Sequence, residues 1–144
     1  MANEVDMHSV AGVIIEDGKI LIAKRIAKGG MGERWEFPGG KVEGGETDEQ
    51  ALVREYEEEF GVRVRVGAYI GDAKFERHGR RHVVRAYEAV LSGRDFVLSE
   101  HTAWRWACVE EIDALIQDDA FVPSDAHLAP FVKARLCFLG RDSR

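Results

Sequence analysis

The 144-residue chain is 45% hydrophobic, a length and composition that support one sizeable buried core and point to a single domain over residues 1–144. Its formal net charge of −6 argues against an extended grip on nucleic acid. No apolar run nears the roughly 18 residues that cross a membrane, and MANEVDMHSV lacks the basic and apolar regions of a secretory signal, so a cytoplasmic protein with no membrane partner is expected.

Val10 to Ile15 and Ile20 to Arg25 are short β-branched or aliphatic runs, and the Asp17-Gly18 pair between them favours a tight turn, which predicts a β-hairpin. Ala27 to Arg34, with Gly29, Gly30 and Gly32, reads as a loop, and Trp35 to Phe37 as a short strand before Pro38 and a double glycine. Thr47 is suited to cap a helix over Asp48 to Phe60, with Gln50 completing a capping box and Gly61 at the left-handed C-terminal position. Arg63 to Phe75 and His82 to Leu91 read as strands joined across Arg77 to Arg81; Trp104 to Val109 reads as a further strand and Glu110 to Gln117 as a short helix. Pro130 fits the first turn of a last helix over Ala129 to Leu139, ended by Gly140. Strands interleaved with helices give an α/β or α+β domain in which helices cover a mixed sheet. Cys108 and Cys137 lie in patterned segments without metal-ligand spacing and are expected to be buried, reduced thiols.

Charge is concentrated rather than spread. Residues 46–60 carry seven acids and one base, whereas Arg63 to Arg85 carry seven bases against Asp72 and Glu76. On a helix of roughly 100° per residue, Glu55, Glu58 and Glu59 gather beside the apolar flank of Leu52, Val53, Tyr56 and Phe60. Like charges about 6 Å apart cost about 3 kcal/mol per pair at an effective dielectric of 20, unless water or a cation screens them. Carboxylates one turn apart suit hard cations such as Mg²⁺, with Mn²⁺ an alternative. A solvated acidic face is the competing explanation.

The segment Gly40 to Val62 fits the pattern G-x5-E-x7-R-E-U-x-E-E-x-G-U at nine specified positions: Gly40, Glu46, Arg54, Glu55, Tyr56, Glu58, Glu59, Gly61 and Val62. It resembles the Nudix box, and Trp35-Glu36-Phe37-Pro38-Gly39 resembles the usual lead-in. Tyr56 replaces the customary aliphatic residue, and Gly44 stands where proline is common. The resemblance implies a Nudix fold, an α/β/α sandwich over Val10 to Leu139, and hydrolysis of a phosphoanhydride. It implies metal binding by Glu55, Glu58, Glu59 and the Gly39 carbonyl, an orienting role for Arg54 and a structural one for Glu46. Glu100, before a tryptophan-containing strand, resembles the additional glutamate of MutT-type enzymes, as ligand or general base; either Glu55 or Glu100 could be that base. His101 reads as a loop or packing residue. Arg25 and Asp125 fall where MutT-type and CTP-pyrophosphohydrolase-like relatives contact the base, Phe37 could wall the pocket, and Lys41 could meet a phosphate. N-capping of the last helical region is an equal reading for Asp125, as a solvated strand end is for Arg25. His82, Arg77 and Arg85 are weaker candidates. The resemblance points to a nucleoside triphosphate, either an oxidised purine such as 8-oxo-dGTP or CTP-like, cleaved to monophosphate and pyrophosphate. A nucleotide sugar, a dinucleotide or a non-catalytic sensing role are the alternatives, and monomer and homodimer stay open.

Overall fold

A computed structural model describes residues 7–27 and 33–142. The strands are β1 (Met7–Val13), β2 (Ile15–Glu16), β3 (Lys19–Arg25), β4 (Trp35–Glu36), β5 (Gly39–Lys41), β6 (Val64–Arg77), β7 (Arg80–Leu91) and β8 (His101–Ala107). The helices are α1 (Asp48–Phe60), α2 (Val109–Gln117), α3 (Pro123–Ala126) and α4 (Ala129–Asp142). Most of the expected loop over Ala27 to Arg34, residues 28–32, lies outside the described residues.

Two sheets organise the chain. The first is mixed, in the order β5-β1-β7-β6, with β1 and β7 parallel and the other pairs antiparallel. In the second, β3 pairs with β8 over residues 20–25 and with β2 and β4 near its two ends. The predicted hairpin is present but short: the first strand breaks at Ile14, so only Ile15–Glu16 pairs back onto Lys19–Ile20, while Met7–Val13 runs alongside β7. Asp17 and Gly18 both take positive φ, 53° and 75°, the succession a tight hairpin turn requires. His78 and Gly79 repeat it between β6 and β7.

Alternate residues of β1 and β3 serve two cores. Val10, Leu21 and Ala23 pack with Leu52, Tyr56 and Phe60 of α1. Ala11, Val13, Ile20 and Ile22 pack with Ile112 of α2 and Leu128 and Val132 near α4. Burial on both faces explains why these strands read as unbroken apolar runs, and it produces the helix–sheet–helix layering expected of the chain.

Helix α1 matches its predicted limits. Thr47 Oγ1 accepts from the Gln50 amide at 3.1 Å and the Gln50 side chain accepts from the Thr47 amide at 2.9 Å, while Gly61 sits at φ 67°. Tyr56 is accommodated by Gly12: its hydroxyl donates to the Gly12 carbonyl at 3.3 Å, and a Cβ at position 12 would fall 2.6 Å from that hydroxyl.

Three expectations are corrected. Gly140 does not end the last helix, which continues to Asp142; Gly140 does not take the positive φ of a left-handed cap. Cys137 is exposed on α4 and Cys108 only half-buried at the start of α2, because apolar patterning does not reveal which way a single cysteine on an amphipathic segment turns. Strand β8 starts at His101 rather than Trp104, since its pairing with β3 extends to Arg25 across a bulge. Among the described residues, no helix is long and apolar enough to cross a membrane.

Candidate functional site

Two clefts meet above the C-terminal ends of β3 and β4, sharing Arg25, Glu36, Gly39 and Gly40 in their walls. One, of about 600 Å³, is lined by carboxylates: Glu55, Glu58 and Glu59 from α1, with Glu100 from the segment entering β8. Ser99 brings Glu100 to α1, because its amide donates to the Glu59 carbonyl at 3.2 Å and its hydroxyl to the Glu58 carbonyl at 2.7 Å. Gly39 lets β1 pass close by, and Gly40 lets the helix approach. A Cβ on Gly39 would lie 2.0 Å from the Val10 carbonyl oxygen, and one on Gly40 would lie 2.4 Å from the Glu55 carboxyl carbon.

Arg54 organises this acidic face from the side. Its guanidinium donates to Glu46 at 2.7 and 2.9 Å, to Glu55 at 2.9 Å, to Glu58 at 3.2 Å and to the Lys41 carbonyl at 2.9 Å. Those donors hold the Glu46 carboxyl down to about 2. Glu59 is the opposite case. Burial, then a hydrogen bond with Glu55 and the negative charges of Glu55, Glu36 and Glu100, drive its carboxyl up to about 10.

The second cleft, about 550 Å³, contains Arg25, Phe37, Lys41 and Asp125. All four residues selected from the sequence as substrate contacts therefore line one space. Asp125 lies in the short helix α3, and its buried carboxylate accepts from the Phe37 amide at 2.9 Å. It spends its hydrogen bond across the fold rather than capping the last helix. Burial first, then the charge of Glu36, pushes its carboxyl up to about 8. Arg77 and His82 also line this cleft, whereas Arg85 turns to α1 and pairs with Asp48 at 3.3 Å. The basic run after α1 does lie close to the acidic helix: Arg63 approaches Glu57 at 3.8 Å as well.

Glu36 and His101 join the site without having been selected from the sequence. Glu36 accepts from Arg25 at 3.0 Å and contacts His101 Nε2 at 2.7 Å; His101 is 5% exposed and stacks on Phe60, in keeping with the packing reading, and adds to it this contact with Glu36. Glu36, Glu59 and His101 place ligand-type atoms within 4.8 Å of one another. The signal was available in Trp35-Glu36-Phe37, where an acid sits between two large aromatics in a strand.

The NUDIX domain family matches residues 6–130, and the chain belongs to that family. It is 41% identical over 102 residues to a CTP pyrophosphohydrolase of Escherichia coli K12, covering 71% of this chain and 76% of that protein. It is 37% identical over 119 residues to a putative 8-oxo-dGTP diphosphatase 2 of Mycobacterium tuberculosis, covering 81% and 80%. Among solved structures, the E. coli ORF135 protein superposes with a TM-score of 0.75 at 36% identity, covering 89% of each chain. A MutT protein from Methanosarcina mazei Go1 does so with a TM-score of 0.76 at 23% identity, covering 97% of this chain and 99% of the other, and supports the fold alone.

Proposed function

We propose that this chain is a divalent-cation-dependent pyrophosphohydrolase that cleaves a nucleoside triphosphate, CTP-like or an oxidised purine such as 8-oxo-dGTP, into monophosphate and pyrophosphate. The observation that carries this reading is the junction of the two clefts. A carboxylate-lined space for a phosphate chain opens at Gly39 and Gly40 into a space walled by Phe37 with Asp125 at its base. The names of the E. coli and M. tuberculosis relatives fit both halves.

The donor set fits a hard divalent cation. Glu59 is crowded by Glu55, Glu36 and Glu100, and a cation among them offsets the repulsion that raises its carboxyl to about 10. Glu55, Glu58, Glu59 and Glu100, with the Gly39 carbonyl, are the groups that would hold Mg²⁺ or Mn²⁺. Bound there, the metal would neutralise phosphate charge and lower the pKa of a water.

The remaining work falls to side chains of this chain. Arg54 holds Glu55 in place, and Glu55 or Glu100 takes the proton of the water that attacks the β-phosphorus. Lys41 meets the phosphate chain. Arg25, Phe37 and Asp125 hold the base, the aspartate carboxyl reading its edge.

A panel of nucleoside triphosphates, nucleotide sugars and dinucleotides incubated with Mg²⁺, with products resolved, tests the assignment. Pyrophosphate plus a nucleoside monophosphate is expected; sugar phosphates or paired mononucleotides would reject it. Glu58 is half exposed, so Glu58→Gln should leave folding intact and lower turnover by about 100-fold or more.

A further inference from the structure

His101 lines neither cleft, yet it touches the walls of both. Its side chain is 1% exposed, stacked on Phe60 with centroids 5.2 Å apart and planes at 26°. Strand pairing sets it opposite Arg25. Nε2 lies 2.7 Å from one oxygen of Glu36, and the other oxygen of Glu36 accepts from Arg25 Nη1 at 3.0 Å. A carboxylate already paired with a guanidinium accepts, so Nε2 is the donor. Among the described residues Nδ1 has no hydrogen-bond partner, and it stands 3.9 Å from Glu59.

The guanidinium of Arg25 depends on this arrangement. Among the described residues, Glu36 is the side chain that anchors it, and Arg25 Nε is buried without a hydrogen bond. Glu36 in turn is held from behind by the imidazole. Without that donor, the carboxylate is free to rotate and Arg25 loses its orientation at the junction of the clefts.

We infer that His101 is a positioning residue for nucleotide binding: acting through Glu36, it sets the direction of the Arg25 guanidinium and thereby the affinity for the nucleoside part of the substrate. The inference rests on the nucleotide reading above and adds a residue to it.

The test is calorimetric binding of cytidine monophosphate and 8-oxo-deoxyguanosine monophosphate with a chelator present, so that metal binding plays no part. His101→Phe keeps a ring against Phe60 but removes the donor, and should weaken binding of the preferred monophosphate about tenfold. His101→Gln can still donate to Glu36 and should stay within about threefold of the parent. Adding Arg25→Ala to His101→Phe should give no more loss than Arg25→Ala alone, because both act on one contact. If His101→Phe does not fold, Glu36→Gln takes its place in the same cycle, with the same weakening and the same lack of additivity expected.

Unchanged binding by a folded His101→Phe overturns the inference, as does a glutamine variant as weak as the phenylalanine one, or losses that multiply in the double variant. Failure of the unsubstituted protein to bind either monophosphate would instead strike the nucleotide assignment, and this inference with it.

Discussion

Gly40 and Glu55 occupy one space: the Cβ that glycine lacks would sit 2.4 Å from the glutamate's carboxyl carbon and 2.6 Å from each oxygen. The φ of Gly40 is not positive, so an alanine there meets no backbone penalty. The three nearest atoms it would meet all belong to that carboxylate. Gly40→Ala is therefore expected to move Glu55 out of its contact with Arg54 while leaving the sheet pairing of β5 intact. Turnover should fall about 100-fold, since displacement of a reacting group by about 1 Å costs that much, with thermal unfolding little changed. Equal loss of melting temperature and activity would show that the glycine serves the fold instead.

Glu59 provides the second prediction. A carboxyl whose folded pKa lies near 10, above the ordinary 4.5, favours the fold at low pH, and that stabilisation is lost progressively as pH rises through this window. Glu59→Gln removes the ionisation. In chelator the variant should unfold at a higher temperature than the parent near neutral pH, and the two should converge in acid. Magnesium should raise the unfolding temperature of the parent and have much less effect on the variant, which should also lose turnover. Thermal scans with and without metal read both effects; a variant less stable than the parent in chelator would contradict the crowding argument.

These two residues also mark what the sequence discloses. Helix α1 was legible to the residue because its signals are local: a capping box, a left-handed glycine and carboxylates three and four positions apart. The convergence of Arg25, Phe37 and Asp125 on one cleft followed from likeness to a family; nothing near Asp125 in the chain announces a hydrogen bond to a residue 88 positions away. The Glu36–His101 pair, 65 positions apart, was not legible for the same reason. Local rules also missed Gly39–Lys41 as a strand, because glycines disfavour strands unless a neighbouring backbone crowds out a side chain, as Val10 does here. The continuation of α4 past Gly140 to Asp142 is a related case, a glycine read as a stop where the helix goes on.

Asp125 yields a pH signature of its own. Its folded pKa of about 8 against an ordinary 3.8 means that the unfolded chain gives up the proton first as pH rises. The stabilisation is complete below about pH 4 and is lost towards pH 8. Asparagine can still accept from the Phe37 amide but does not ionise. Asp125→Asn should gain stability relative to the parent across that interval, measured as the difference between their urea midpoints at each pH. Its preference among nucleobases should also relax. Parallel midpoint curves for the two proteins would show that Asp125 is ionised in the fold.

Tyr56 and Gly12 test the packing under the acidic helix. The phenol is fully enclosed and its hydroxyl donates to the Gly12 carbonyl, so the missing side chain at position 12 is the space the ring occupies. Gly12→Ala forces an overpacked contact and should cost about 1–3 kcal/mol. Tyr56→Phe removes one buried hydrogen bond and should cost about 1 kcal/mol. Tyr56→Leu, which restores the aliphatic residue customary at this place in the box, loses ring contacts with Phe60. Combined with Gly12→Ala it should cost less than the sum of the two single changes, because the smaller side chain vacates the position the new methyl needs. Denaturant unfolding of the four proteins measures the coupling. Strict additivity would mean that the backbone of β1, rather than the ring of Tyr56, absorbs the methyl group.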